Sequence, residues 1–292
     1  MTATPPLSWP AIAVPGQDIL TTPGALLVLV AVIVISALLY IERPPITRRT
    51  VLSLVPWMIA SSTLPILAAV ADYPPAIRPL LETSGAYLST YLLLGFAWFA
   101  MFQLSVRQES REILSDYLGS MGIGLATILV TLVVLQGEPA SIDQLGWSLL
   151  ILFGAAVFAV AVVFVLGFWY VDAPTYTGAV GMLAVFGQTL EGVARAAGVG
   201  VFDAGSHSYL SWKIVNLVAA VQPEASAADQ LISWSMTYVW LKIAIAVLAV
   251  IFLAQYSKEH PQRGYLALGI IAALGITAGM TNLLLIAIGG LP

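Results

Sequence analysis

Apolar stretches long enough to cross a bilayer recur along this chain, and no other feature constrains its fold so tightly. About 20 consecutive apolar residues carry an α-helix across the hydrocarbon core. Eight segments reach that length within a few residues at each end: 24–41, 50–71, 85–105, 117–136, 145–171, 174–198, 232–256 and 265–288. A ninth stretch, 207–221, is too short to span and carries Lys213 and Asn216, which predicts an interfacial or re-entrant helix. Lipid offers the backbone no hydrogen-bond partners, so each segment must satisfy its own N–H and C=O groups as a helix. The expectation is an all-α, polytopic integral membrane helix bundle over residues 24–292, with about eight transmembrane helices. Residues 1–23 hold no Lys or Arg and are broken by Pro5, Pro6, Pro10, Pro15 and Pro23, which predicts an extracellular tail rather than a signal peptide.

Composition points the same way. Hydrophobic residues are 60% of the 292 positions and charged residues only 9%, against roughly 25% charged in a soluble domain. Water does not tolerate that much apolar surface; lipid does. With no cysteine and only His207 and His260, disulfides and thiolate metal sites are excluded, and no metal or other cofactor is expected. A net charge of −4 and a pI near 5.1 argue against a nucleic-acid partner.

Lys and Arg are retained on the cytoplasmic side of a membrane. Arg43, Arg48 and Arg49 follow the first segment, Arg107 and Arg111 the third, and Lys258 and Arg263 the seventh. The tail and the loops after the second and fourth segments carry only Arg78. Both termini are therefore expected outside the cell membrane. Trp9, Trp147, Trp169, Tyr170, Trp212, Trp234 and Trp240 lie mostly near predicted ends, in the half-wet zone that aromatic rings prefer. Pro56 and Pro65 predict kinks in the second segment. Gly275 and Gly279 allow a close helix approach in the last, read as packing within the bundle rather than as a dimer motif. No internal repeat is evident, which disfavours transporters built from inverted repeats.

Ionisable side chains within the bilayer are expensive and therefore mark candidate sites. Glu191 and Arg195 sit four apart on the sixth segment, hence on one face, and Lys242 sits on the seventh. Gln188, Thr281 and Asn282 fall at similar depths, about 10–15 Å below the outer ends of their helices. Two readings stay open for this polar cluster. In one it binds a solute, a proton or a lipid headgroup. In the other Glu191 neutralises Arg195, Lys242 caps a carbonyl or joins them, and the network is structural. Asp203, Ser206 and His207 lack the pattern around a nucleophilic serine and read as a polar surface turn. His260, with Lys258, Glu259 and Arg263, reads as a charged cytoplasmic loop.

Three pieces carry a family resemblance: Leu54-Val55-Pro56-Trp57, Gly187-Gln188-Thr189-Leu190-Glu191-Gly192-Val193 with Gly198-Val199-Gly200-Val201-Phe202, and Gly275 through Asn282. From about Leu38 onward the chain resembles the archaeal integral membrane proteins grouped as domain of unknown function sixty-three. The resemblance implies a divergent member. The family's acidic segment keeps its acid as Glu191, but Gln188 stands in place of a histidine and Arg195 in place of a small hydroxyl residue. Pro65, Ala68 and Ala69 stand where the family carries charges, and the arginine and proline of its last helix are gone. No chemistry carries over from that family. The leading functional expectation is a non-catalytic accessory or structural subunit, partnered by the lipid bilayer and another membrane protein. A carrier or channel using Glu191 and Lys242 comes second. An intramembrane lipid-modifying enzyme, lacking a nucleophile or metal ligands, comes third.

Overall fold

The structure, a computed structural model, describes residues 23–74, 77–107, 113–136, 141–202 and 227–288. Among them are ten helices and no strand. They are α1 (Pro23–Glu42), α2 (Arg48–Ser53), α3 (Val55–Val70), α4 (Arg78–Leu81) and α5 (Thr83–Arg107), then α6 (Ile113–Gln136), α7 (Ile142–Trp169), α8 (Asp172–Phe202), α9 (Ala227–Glu259) and α10 (Pro261–Ala287). The predicted short helix at 207–221, the turn at Asp203, Ser206 and His207, and nearly all of the N-terminal tail lie outside the described residues.

Local sequence explains where several helices begin. Thr47 and Ser141 each accept a hydrogen bond from the backbone three residues on, and Thr50 and Gln144 return it, so two capping boxes open α2 and α7. Pro56 and Pro261 occupy first-turn positions, where a missing N–H costs nothing. The second predicted segment is consequently two helices, α2 and α3, joined at Leu54. Pro65 alone lies inside α3.

The all-α membrane bundle is as expected, but the count of eight hydrophobic crossings is corrected. Among the described residues six helical stretches are long and apolar enough to span: Arg48–Val70, Gly85–Val106, Leu114–Gln136, Ile142–Trp169, Ser235–Glu259 and Pro261–Ala287. In α1 the described apolar run, Leu27–Glu42, is too short. In α8 the apolar run is diluted by Gln188, Glu191 and Arg195. The reason is burial: α8 packs most extensively against α10 and α9 and also against α7, so protein rather than lipid surrounds it.

Side-chain pairings give the helix directions. Arg49 meets Asp116 and Tyr73 meets Gln136, so α2–α3 runs parallel to α6. Gly187 lies against Ile276 and Leu190 against Gly279, so α8 runs parallel to α10. Gly192 lies against Val239 while Tyr176 lies under Lys258, so α9 is antiparallel to both. Ile35 meets Gly95 and Glu42 meets Gln103, making α1 parallel to α5. Outer helices face lipid. Only 22% of the apolar stretch of α7 is buried, against 61% for α2–α3, and Phe153, Phe164 and Phe168 stand exposed along α7.

Candidate functional site

The centre of the bundle is where α8 meets α9 and α10, and small residues make that meeting close. A side chain at Gly275 would strike the backbone of Gly187, and one at Gly279 would lie 2.8 Å from Leu190 Cγ and 2.9 Å from the Glu191 nitrogen. These glycines are therefore packing surfaces inside the bundle, as expected. On the other side of α8, Gly192 lets α9 approach until a Cβ there would sit 3.3 Å from Val239 Cα and 3.6 Å from Lys242 Cβ.

That approach decides the ion pairing. Lys242 Nζ stands 2.7 Å from Glu191 Oε2, with side chains only 13% and 9% exposed. The hydroxyl of Tyr238, one turn before Lys242, donates to Glu191 Oε1 at 2.9 Å. The expected pairing of Glu191 with Arg195 is thus corrected: the bridge is between helices, not along one. Arg195 instead sets its guanidinium 5.8 Å from the Tyr238 ring centre, and Lys242 Nζ lies 5.6 Å from the same ring. Both cations meet the negative face of one buried aromatic, an arrangement that strengthens where water is scarce. Arg195 Nε is buried without a hydrogen-bond partner among the described residues.

The other three candidates do not join this cluster by any described bond. Gln188 donates across to the Ile271 carbonyl at 2.9 Å, tying α8 to α10. Thr281 donates to the Thr277 carbonyl at 2.9 Å and lies 3.3 Å from the Ser62 carbonyl of α3, beside the one that Pro65 deprives of its helical donor. Asn282 Nδ2 is buried and, among the described residues, unpartnered. Tyr238 was missed by the sequence reading, although its four-residue spacing from Lys242 was a usable signal.

A second polar feature sits at the start of α8. Gly178 is non-helical, with φ 56° and ψ −139°, and splits the helix near its beginning. Arg48 reaches into the split, donating to the carbonyls of Tyr176 at 3.1 Å and Thr175 at 3.4 Å, and through Nε to the Tyr265 hydroxyl at 2.7 Å. A guanidinium thus supplies donors to carbonyls that the break leaves without helical ones.

The described surface includes three cavities of ligand size. An open one of about 660 Å³ lies between the ends of α7 and α9 and the start of α8. An apolar groove of about 450 Å³ runs between α7 and α9. A crevice of about 300 Å³ lies among α3, α5 and α10, lined by Trp57, Tyr87, Tyr91, Trp98 and Thr277 among others. None of the three is lined by Gln188, Glu191, Arg195, Lys242, Thr281 or Asn282. Comparison with family models, with curated proteins and with solved structures finds no match to this chain.

Proposed function

We propose that this integral membrane protein is a non-catalytic accessory or structural subunit of a membrane assembly. The observation that carries the reading is the Lys242–Glu191 bridge at 2.7 Å, closed on its other oxygen by Tyr238. Its charges are spent on each other and lie apart from the three cavities, so the bundle's most costly side chains serve to lock α8 to α9. The resemblance to the archaeal family of domain of unknown function sixty-three is part of this proposal. The quoted motif glycines Gly187, Gly192, Gly275 and Gly279 are those that bring α8 against its neighbours.

The proposal includes an orientation with both termini outside. Arg48, Arg49, Lys258 and Tyr265 gather at the end of the bundle where α2, α6, α8 and α10 begin and α9 ends. A basic end is the cytoplasmic end.

Carrier and subunit differ in whether water reaches the cluster. In an otherwise cysteine-free chain, cysteines at Gln188 and Ala194 are expected to resist a membrane-impermeant thiol reagent from either face. Cysteines at the exposed Asp143 and Gln262 should react. Gentle-detergent purification should also retain one stoichiometric membrane protein partner, whereas a monodisperse lone chain counts against the subunit role. Labelling of α8 that a solute blocks would put a carrier or channel first. That second reading has one observation in its favour, the unpartnered Nε of Arg195 beside Tyr238.

A further inference from the structure

The cavity of about 660 Å³ has the chemistry of an amphiphile's headgroup site. Trp169, Tyr170 and Tyr176 line it, with Asp172, Glu259 and Lys258. Lys258 Nζ stands 5.0 Å from the Tyr176 ring centre, which places cation, ring and carboxylates in one chamber. Trp169 and Tyr170 are exposed and sit at the end of a spanning helix, the level that aromatic rings prefer in a bilayer.

The apolar groove of about 450 Å³ continues from that chamber, since Trp169, Tyr170 and Ile251 line both. Its walls are Phe158, Val162 and Val165 of α7 with Trp240, Ile243 and Val247 of α9. Trp240 closes its far end by packing edge-on against Phe158 at 5.8 Å. From Trp169 back to Phe158, α7 climbs roughly 16 Å, about half of a ~30 Å hydrocarbon core. The groove is therefore one leaflet deep, and each cavity falls in the ligand-site range of roughly 300–1,000 Å³.

We propose that chamber and groove together bind one zwitterionic phospholipid from the leaflet at this end of the bundle. Its phosphate faces Lys258, its ammonium lies among Asp172, Glu259 and the aromatic faces, and an acyl chain fills the groove. The charges select this occupant. An anionic headgroup would satisfy Lys258 but leave two carboxylates facing it unpaired. An apolar partner helix would cover the groove and leave the charged chamber unanswered. Ammonium groups held between aromatic faces and carboxylates are a recurring mode of recognition.

The test uses the purified full chain in mild detergent with equimolar phosphatidylethanolamine and phosphatidylglycerol of identical acyl chains, read by native mass spectrometry. One phosphatidylethanolamine should be retained, several-fold in preference to phosphatidylglycerol. Lys258→Ala should weaken its retention by roughly two- to fivefold, the range of a partly exposed charge contact. Ala161→Trp, on the groove wall at a lipid-exposed position, should abolish retention of both lipids. Equal or greater retention of phosphatidylglycerol overturns the headgroup assignment. Undiminished retention by Ala161→Trp overturns the groove, and retention of neither lipid overturns the site. Should Ala161→Trp fail to fold, the competition on the unaltered chain and the Lys258→Ala comparison still decide. The Glu191 bridge takes no part, so failure here leaves the subunit reading untouched.

Discussion

Glu191 is held by Lys242 and Tyr238, and each partner depends on its position along α9. Breaking a buried pair from one side strands the other charge, which costs about 3–5 kcal/mol in soluble proteins. Glu191→Gln and Lys242→Met are each expected to lower the thermal midpoint of the purified protein clearly. The double variant should recover most of the loss, because a neutral pair leaves no stranded charge. Additive losses in the double variant would show that the two side chains do not face each other. The positions of Glu191, Arg195 and Lys242 were legible in the sequence, since charge is conspicuous in an apolar helix. The pairing was not, because a four-residue spacing makes Glu191–Arg195 sterically possible in isolation. Only the close passage of α9 at Gly192 makes Lys242 the nearer cation.

Among elements, α8 depends on two glycines for different reasons. Gly178 adopts φ 56° with ψ −139°, and a Cβ there would lie 2.9 Å from Arg48 Nη1. Gly178→Ala is expected to destabilise by about 1–3 kcal/mol through backbone strain. It should also displace Arg48, detected as faster amide exchange at the start of α8. Gly279 belongs to α10, and its hydrogen face is what Leu190 and Glu191 pack against. Gly279→Val is expected to cost about 1–3 kcal/mol by overpacking. Gly154→Val, where nothing lies within 4 Å, should leave thermal stability nearly unchanged. Similar midpoints for these two valine variants would refute the close α8–α10 crossing. Helix breaks were partly legible: prolines announced the division of the second segment. The break at Gly178 was not, because a lone glycine is a weak signal and its clamp, Arg48, lies far away in sequence.

For the whole molecule, the orientation proposed from its charged ends is one that a reporter can read. A tag fused after Pro292 should be reachable on intact cells, and one placed in the 107–116 loop should become reachable only after permeabilisation. A cytoplasmic C-terminus would mean an even number of crossings between the two tags. The six apolar spans set the bundle's depth, and α8 travels the same distance inside it, antiparallel to α9 and parallel to α10. The count falls from eight to six because α8, diluted by Gln188, Glu191 and Arg195, is less apolar than the six spans, and the described apolar run of α1 is short. Hydropathy measures what a helix would present to lipid, whereas α8 presents most of its middle to other helices.

Composition and periodic apolar length alone determined that this chain is an all-α membrane bundle, where its main helices lie, and which few charges stand inside it. Those properties follow from each segment's own transfer between water and lipid, which is additive along the sequence. Which charges meet, which helix is enclosed, and where chamber and groove join were decided by tertiary structure alone. They depend on the distance between segments far apart in the chain, and here that distance is set by the glycine contacts at Gly187, Gly192, Gly275 and Gly279.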